Sequence, residues 1–286
     1  MSRILVTGAT GHIGRQVVDR LLGTGCRIRA LTRNPESASL PGEVDIVRGD
    51  LANADTLDAA LTGVDAVFLV WLAPLAAAPG ALERIAAHAQ RLVLLTSPHS
   101  VPHPFFQQPN AMRAVHAGLE RLIEASPLRW TFLRPTVFAV NCLHWWGPQI
   151  AEGNIVRWFY GDAATSPIHE RDVAAVAVRA LLEEGHASKE YVLTGPESLT
   201  QRRQVEIIGQ AIGRPLRFEE LGPDAARREL MAAWPDEIAT MLLDAYGAAV
   251  DRPAHLTTTV GDVTGTPARR FHDWAVEHAA EFGRCP

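Results

Sequence analysis

The spacing of three glycines directly after the first apolar run constrains the fold of this chain most strongly. Residues 6–14 read VTGATGHIG, a G-x-x-G-x-x-G pattern. The run before it predicts a strand, and apolar residues at helical spacing over residues 13–22 predict a helix after it. In such a strand–turn–helix, Gly8 permits the tight turn, Gly11 lets a pyrophosphate approach the backbone, and Gly14 lets the helix pack closely on the sheet.

The mouth of this first helix is the predicted phosphate-binding site. Helix N-termini carry unpaired N–H groups and the positive end of the helix dipole, and they therefore bind anions. We expect the backbone amides of Thr10, His12 and Ile13 to converge on the pyrophosphate of a dinucleotide. The alternative is a glycine-rich turn without a ligand, which the strand before it and the helix after it disfavour.

The first half of the chain repeats this alternation of apolar runs and helical patterns. Unbroken apolar strands separated by helices are typical of a parallel sheet covered on both faces. We predict an α/β protein with a Rossmann-type doubly wound sheet over residues 1–140 and a smaller C-terminal α/β lobe, interleaved with it, over residues 141–286. The predicted strands are residues 4–7, 28–32, 44–47, 66–70, 92–96 and 130–133.

The ends of the second and third predicted strands bear on the choice of cofactor. The second ends at Arg33, where an acidic residue would bind the ribose hydroxyls of NAD(H). A guanidinium can form paired hydrogen bonds with phosphate, so Arg33 favours the 2′-phosphate of NADP(H), and NAD(H) is the alternative. After the third strand, Asp50 and Leu51 are predicted to lie at the cofactor. Asp50 either accepts a bond from the adenine amino group or caps the next helix.

Composition excludes several classes of partner. The 286 residues carry a net charge of −5 and no basic run, so we expect neither nucleic acid nor a membrane surface as a partner. Three scattered cysteines provide neither a disulfide framework nor a metal site. The longest apolar stretch, residues 66–78, is interrupted by Pro74 and is too short to span a membrane. We expect a cytoplasmic protein without a signal peptide, either monomeric or a homodimer.

Several segments together carry a family resemblance: residues 4–14, 17–22, 29–35, 47–51, 63–69, 130–141 and 166–173. They resemble the NmrA-like atypical branch of the short-chain dehydrogenase/reductase superfamily. The resemblance implies a Rossmann-type fold that binds NAD(P). It leaves the activity open, since the branch contains quinone, azo-dye, triphenylmethane and aromatic-ether reductases as well as redox sensors that bind cofactor without turnover. In the last segment, Asp172 is predicted to cap a helix.

The catalytic pair of the orthodox family members, a tyrosine with a lysine four residues later, is missing. None of Tyr160, Tyr191 and Tyr246 is followed by such a lysine, and the single lysine of the chain is Lys189. Proton transfer in a reductase of this sequence therefore requires other groups.

A helix predicted over residues 110–126 carries His116 and Glu120, four residues apart and so on one face. A carboxylate beside an imidazole can raise its pKa, which makes His116 a candidate proton donor. A surface pair without a role is the alternative. Ser97 is a second catalytic candidate and a cofactor contact, because ligands collect at the carboxyl ends of strands in open α/β sheets.

The segment LRPTVF, residues 133–138, resembles the family segment that passes the nicotinamide ring. The resemblance implies that Pro135 and Thr136 contact the carboxamide; an ordinary strand-end turn is the alternative. Val70, Trp71 and Leu72, at the end of the fourth strand, are predicted to lie along the cofactor ribose.

Aromatic residues concentrated around residues 144–160 predict either a pocket for a planar ligand or the core between the lobes. The predicted substrate-pocket residues are Leu72, His99, Phe138, Asn141, Trp145, Trp146, Trp158 and Tyr160. The expected partner is thus a small planar aromatic molecule.

Taken together, these patterns predict a reductase that delivers a hydride from NADPH to a planar conjugated acceptor, such as a quinone or a polyketide-like aromatic. Holding the donor and acceptor carbons at about 3–3.5 Å removes a large entropic barrier without a dedicated tyrosine. Two alternatives stay open. One is a non-enzymatic sensor of the NADP(H) redox state, and the other is an isomerase or cyclase that uses bound cofactor.

Overall fold

A parallel sheet of seven strands forms the centre of the computed structural model, which describes residues 2–108 and 111–283. The strands in these ranges are β1 (Arg3–Thr7), β2 (Arg27–Thr32), β3 (Asp45–Arg48), β4 (Ala66–Val70), β5 (Arg91–Leu95), β6 (Arg129–Pro135), β7 (Ile155–Trp158), β8 (Ala164–Thr165), β9 (Lys189–Leu193), β10 (Leu199–Thr200) and β11 (Arg217–Glu220). The order of the main sheet is β3-β2-β1-β4-β5-β6-β9. The order reverses between β1 and β4, so the sheet is doubly wound and the predicted Rossmann-type fold is confirmed.

Helices cover both faces of the sheet and build the smaller lobe. They are α1 (His12–Leu22), α2 (Asp58–Leu61), α3 (Ala78–His88), α4 (Pro104–Gln107), α5 (Ala111–Glu124), α6 (Asn141–Trp145), α7 (Gly147–Glu152), α8 (Glu170–Leu182), α9 (Gln201–Ala211), α10 (Pro223–Ala233), α11 (Asp236–Gly247), α12 (Thr259–Thr264) and α13 (Phe271–Glu277). The predicted start of α5 at residue 110 lies outside the described residues.

Alternation along β1 shows how the two faces of the sheet are built. Ile4 and Val6 are buried in a cluster with side chains of α1 and α8. Leu5 points the other way, into a cluster formed with α2, α3 and α5. Burying one such aliphatic side chain contributes about 1.5–3 kcal/mol, so a strand that is apolar at every position is stable only between two helical layers.

Beyond residue 140 the chain builds a separate cluster and also returns to the sheet. The cluster contains Trp146, Trp158, Tyr246 and Trp274. Between its segments, α8 packs against α1 and β9 pairs with β6. The smaller lobe therefore sits beside the carboxyl end of β6, since that strand leads directly into it.

The predicted helix cap at Asp172 is wrong. Helix α8 begins at Glu170, and His169 precedes it, where its Nδ1 accepts the N–H of Arg171 at 3.3 Å. Asp172 is the third residue of the helix, and its carboxylate accepts the backbone N–H of Arg269 at 2.7 Å. It fixes the chain ahead of α13 instead of capping its own helix.

No helix in residues 2–108 and 111–283 has the length and apolar character required to cross a bilayer.

Candidate active site

The glycine turn joins β1 to α1 with almost no space between them. Gly8 has a φ of 63°, a left-handed conformation that a side chain would strain. Its carbonyl accepts the N–H of Gly11 at 3.0 Å. A β-carbon on Gly14 would overlap the backbone of Gly8. The turn geometry thus requires glycine at the first and third positions of the motif.

The first turn of α1 is open to an anion. No side chain of the described residues caps it at Gly11. The first N–H groups of a helix have no partner within the helix, so those of His12 and Ile13 are available to a ligand. Thr10 is exposed beside them, whereas the Ile13 side chain is buried in the core. A β-carbon on Gly11 would have one protein atom nearby, the Gly8 carbonyl oxygen at 3.4 Å. Its other sides are open, so a phosphate can approach the backbone at Gly11.

A crevice of about 300 Å³ opens beside this turn, at the carboxyl ends of β1, β2, β3 and β4. This is the position at which open α/β sheets bind ligands. It is lined by the predicted residues Gly8, Thr10, Arg33, Asp50, Leu51, Val70 and Leu72, and by seven residues outside the predicted set: Thr7, Leu31, Thr32, Gly49, Ala52, Ala73 and Pro74. The sequence signal that these seven residues share is a position within four residues of the carboxyl end of a strand.

The guanidinium of Arg33 is exposed at this crevice and has no hydrogen-bond or ion-pair partner among the described residues. By contrast, Arg29 on the same strand is bound to Asp45 at 2.7 Å. The unpaired charge at the end of β2 leaves Arg33 free to bind an anionic group of a ligand in the crevice.

Asp50 lines the crevice but does not cap the helical turn that follows. One of its carboxylate oxygens accepts the N–H of Ala52 at 2.9 Å. Asn53 takes the capping role, since its side-chain oxygen accepts the N–H of Asp55 at 3.2 Å. Of the two roles predicted for Asp50, the structure thus excludes the cap.

The end of β4 presents two of its three predicted residues to the crevice. Val70 lines it, and Leu72 is 87% exposed. Trp71 points away, into the cluster beneath α2 and α3, and is 7% exposed. The Trp71 side chain therefore does not face the crevice, because side chains alternate in direction along a strand, and only its backbone remains as a predicted contact of the ribose.

The ends of β5 and β6 lie side by side beyond the glycine turn. Ser97 is half-buried two residues after β5, and Pro135 is the last residue of β6. The amide of Thr136 donates to the Leu193 carbonyl at 2.9 Å and its hydroxyl donates to the Ser166 carbonyl at 3.0 Å. Thr136 is thus fixed in place, and Ser97 is the more accessible hydroxyl of the two.

His116 lies beside the end of β5, with its Nδ1 at 3.2 Å from the hydroxyl oxygen of Thr96. Burial lowers its pKa, and this effect outweighs the opposing charge of Glu120. Glu120 does raise the pKa of His116 as expected, but the expected net rise above the ordinary histidine value is wrong, because burial is the larger effect. Within the described chain, Glu120 forms ion pairs with Arg134 and His99 instead.

The predicted aromatic pocket divides into core and surface residues. Trp146 is fully buried and Trp158 is 5% exposed, both within the core of the smaller lobe. Trp145 is half-buried and stacks on Trp158 with ring centroids 6.1 Å apart. Phe138, Asn141 and Tyr160 are also half-buried, with Tyr160 held at a φ of 49°. Trp146 and Trp158 support the lobe from within, so Trp145 is the tryptophan of this group best exposed to a ligand.

One contact joins the glycine turn to the smaller lobe. His12 at the mouth of α1 and His144 on α6 approach with their Nε2 atoms 3.4 Å apart. Burial lowers the pKa of His12, as does the nearby His144. The first residue of α1 and the fourth residue of α6, which begins at Asn141, therefore face each other.

These features define a class of protein: an α/β dinucleotide-binding protein with a second lobe at the carboxyl edge of its sheet. The sequence profile of the NAD(P)H-binding family matches residues 8–184. The chain belongs to this family, and the predicted resemblance to NAD(P)-binding reductases is confirmed.

Relatives align with this chain over nearly their full lengths. A (4-alkanoyl-5-oxo-2,5-dihydrofuran-3-yl)methyl phosphate reductase of Streptomyces griseus is 42% identical over 98% of this chain and 99% of its own. An NAD(P)H azoreductase of Xenophilus azovorans is 33% identical, with 98% and 99% covered. An NADPH-dependent quinone oxidoreductase of Escherichia coli, crystallised with NADPH, shares the fold with a TM-score of 0.79 at 22% identity, with 96% and 99% covered. The chain is an NAD(P)H-dependent oxidoreductase.

Proposed function

We propose that this oxidoreductase uses NADPH to reduce a planar acceptor in which a carbon–carbon double bond is conjugated with carbonyl groups. The single observation that carries the proposal is the 42% identity with a reductase of an alkanoyl-dihydrofuranone phosphate, which extends over both chains. The ring of that compound is a flat conjugated system, in which two carbonyl groups activate one carbon–carbon double bond. We therefore narrow the expected acceptor from a quinone or polyketide-like aromatic to an alkene activated by two carbonyl groups.

The structural fit of the cofactor rests on the glycine turn and the crevice beside it. Because Gly14 has no side chain, α1 can pack closely on the turn after β1. The uncapped N-terminus of α1 provides backbone amides for a pyrophosphate. The unpaired Arg33 supports NADPH over NADH, because its guanidinium would neutralise the 2′-phosphate. When bound, the cofactor supplies a hydride.

The chemistry of such an acceptor explains why the tyrosine–lysine pair is dispensable. Addition of a hydride to an alkene carbon that is β to two carbonyl groups leaves a delocalised enolate. Two carbonyl groups stabilise that anion, so positioning accelerates hydride transfer and the proton can come from a group other than a tyrosine. The chain's own task is then to hold the acceptor flat against the cofactor and keep water away from it.

The proposed roles of the chain's residues follow from their places. Ser97 offers a hydroxyl to a carbonyl group of the acceptor at the end of β5. The backbone at Pro135 and Thr136 guides the nicotinamide amide, and Phe138, Asn141 and Trp145 border the acceptor from the smaller lobe. An aromatic contact of this kind contributes about 0.5–1.5 kcal/mol beyond burial.

The test is the oxidation of NADPH and of NADH, followed at 340 nm, against an acyl-dihydrofuranone phosphate, menadione and an azo dye. We expect turnover with NADPH and the highest kcat/KM with the furanone, with product analysis showing a saturated ring. Absence of turnover with every acceptor, combined with different calorimetric affinities for NADP+ and NADPH, would replace this proposal by the sensor function. Conversion with unchanged cofactor would indicate an isomerase or cyclase.

A further inference from the structure

A buried ion-pair network lies directly behind the ends of β5 and β6. Arg134, near the end of β6, is 4% exposed and binds Glu120 of α5 through two nitrogens, at 3.3 and 2.6 Å. It also binds the hydroxyl of Ser100 at 2.7 Å and the carboxylate of Glu190 at 2.5 Å. Glu120 is itself 4% exposed. Buried ion pairs contribute little net stability, so one placed at the catalytic edge of the sheet calls for a functional reason.

His99, in the loop after β5, is a further member of this network. Its Nε2 lies 3.4 Å from Oε2 of Glu120, and its Nδ1 lies 3.1 Å from the carbonyl oxygen of Ser97. The side chain of Gln107 donates to the His99 carbonyl at 3.1 Å and so fixes the segment. The His99 side chain is 13% exposed, which leaves one edge for a ligand.

Both ring nitrogens of His99 thus face acceptors only, a carboxylate and a carbonyl. Each of these contacts is a hydrogen bond only when the nitrogen involved carries a hydrogen. When His99 carries a hydrogen on both nitrogens, Glu120 has two cationic partners, His99 and Arg134. The second partner adds to the charge balance of Glu120, because Arg134 also binds Glu190. The arrangement therefore suits a ring that holds a proton for transfer.

His116 lacks this arrangement. It lies on the same helix as Glu120, yet no ion pair joins them within the described residues, and its Nδ1 contacts the Thr96 hydroxyl. The helical spacing of His116 and Glu120 correctly identifies Glu120 as a residue of the site. The imidazole that contacts Glu120 is that of His99, in the loop after β5.

We propose that His99, oriented by Glu120 and Arg134, donates the proton that completes reduction of the acceptor. This rests on the proposed function. His99 is the catalytic residue, since it would contact the acceptor, and Glu120 and Arg134 are positioning residues. The feature that supports the assignment is the place of His99 two residues after Ser97, beside the end of β6, to which β5 is paired.

The step balances as follows. The alkene carbon β to the carbonyl groups gains the hydride, and the π electron pair moves onto the carbonyl oxygens as an enolate. The Nδ1–H of His99 turns from the Ser97 carbonyl to the enolate and gives it the proton. The reduced dinucleotide is oxidised, His99 becomes neutral imidazole, and solvent returns its proton.

The groups that face His99 set the pH dependence of this step. Glu120 and His116 face it from α5, Arg134 acts from β6 through Glu120, and Glu190 acts from β9 through Arg134. Burial lowers the pKa of His116, so its ring adds little charge beside Glu120 at neutral pH.

The first test needs no cofactor. Imidazole N–H resonances of the apo protein are recorded by 1H–15N NMR. We expect a hydrogen-bonded N–H signal that disappears in His99→Gln, moves in Glu120→Gln and persists in His116→Gln. A His99 signal that does not move in Glu120→Gln overturns the positioning role, provided that thermal melting shows the variant to be folded.

The second test is the pH profile of kcat/KM with NADPH and the best acceptor. We expect wild-type activity to fall towards alkaline pH, and His99→Gln to lose this dependence together with about a hundredfold of kcat, the lower end of general acid catalysis. His272→Gln, an exposed histidine variant on α13, is the matched control and should keep the wild-type profile.

The outcomes are distinguishable. No turnover by the wild type with any acceptor overturns the proposed function and this proposal with it. Turnover by the wild type with the same pH profile in His99→Gln overturns this proposal alone. Loss of the alkaline decline in His116→Gln but not in His99→Gln assigns the proton to His116 and equally overturns it.

Discussion

The carbonyl oxygen of Gly8 lies 2.1 Å from the position that a β-carbon on Gly14 would occupy. No real contact is this short, so in Gly14→Ala the helix α1 must move away from β1. We expect this variant to lose about 1–3 kcal/mol of unfolding free energy through overpacking. It should also lose most of its affinity for NADPH, because the amides at the helix mouth move with the helix. Urea unfolding and fluorescence titration with NADPH measure the two effects.

The matched control is Gly23→Ala, at the other end of the same helix. Gly23 has a φ of −74°, and its nearest contact to an added β-carbon is at 3.8 Å. An alanine fits there without strain and should leave stability equal or raised by up to about 1 kcal/mol, since it restricts the unfolded chain. Equal NADPH affinities in the two variants would contradict the role given to Gly14.

Arg33 provides the test of cofactor preference. A charge-assisted hydrogen bond contributes about 1.5–3 kcal/mol, which corresponds to roughly a ten- to hundredfold change in affinity. We expect Arg33→Ala to weaken NADPH binding by this factor and to leave NADH binding unchanged, because only NADPH carries the 2′-phosphate. Isothermal titration calorimetry with both dinucleotides measures this.

Arg27→Ala is the control for a general charge effect. Arg27 is exposed at the opposite end of β2, so its loss changes the net charge equally but leaves the crevice intact. We expect its NADPH affinity to match the wild type. If both arginine variants weaken NADPH binding equally, or if Arg33→Ala weakens NADH binding as much as NADPH binding, the 2′-phosphate contact is refuted.

Stability should depend on pH through Glu170 and His278, whose side chains are 2.8 Å apart. Burial would raise the pKa of Glu170, but its contacts with His169 and His278 outweigh this effect and lower the pKa well below 4.5. Burial would lower the pKa of His278, but its bonds to Glu170 and Glu281 outweigh it and raise the pKa above 6.5.

The signs follow from these shifts. The contribution of Glu170 is present above pH 4.5 and is lost as the pH falls through its lowered pKa. The contribution of His278 is complete below pH 6.5 and is lost as the pH rises through its raised pKa. Melting temperature against pH should therefore decline on both sides of this window. In His278→Gln the loss should be largest below pH 6.5 and the alkaline decline should flatten, whereas the exposed His272→Gln should follow the wild type.

The parts of this structure that the sequence predicted are those encoded by neighbours in the chain. The glycine turn depends on residues 6–14 alone, and β1 to β6 overlap the predicted apolar runs. Arg33, Asp50 and Val70 were identified as crevice residues because strand ends meet at one edge of a parallel sheet. In each case a local pattern was enough.

Contacts between distant segments could not be predicted in the same way. His99 and Glu120 are separated by a helix and a loop, and no periodicity relates them. Arg134 lies in the segment LRPTVF. A charged residue within an otherwise apolar strand is the one sequence feature that indicates its buried ion pair. For the aromatic residues, sequence density could not separate core from pocket, because both need apolar rings and only the fold determines which of them face a ligand.

Trp146 and Trp145 permit this last distinction to be tested. Trp146 is fully buried, so Trp146→Ala should cost about 3–5 kcal/mol of unfolding free energy, because the lobe cannot collapse around a cavity of that size. Trp145 is half-buried, and Trp145→Ala should cost clearly less stability but raise KM for the planar acceptor, with kcat less affected. Urea unfolding and steady-state kinetics, carried out well below the melting temperature of both variants, separate the two effects. A Trp145→Ala enzyme with unchanged KM for furanone and quinone acceptors would exclude that ring from the pocket. The acceptor would then have to be held by groups at the ends of β5 and β6, without an aromatic contact from this part of the smaller lobe.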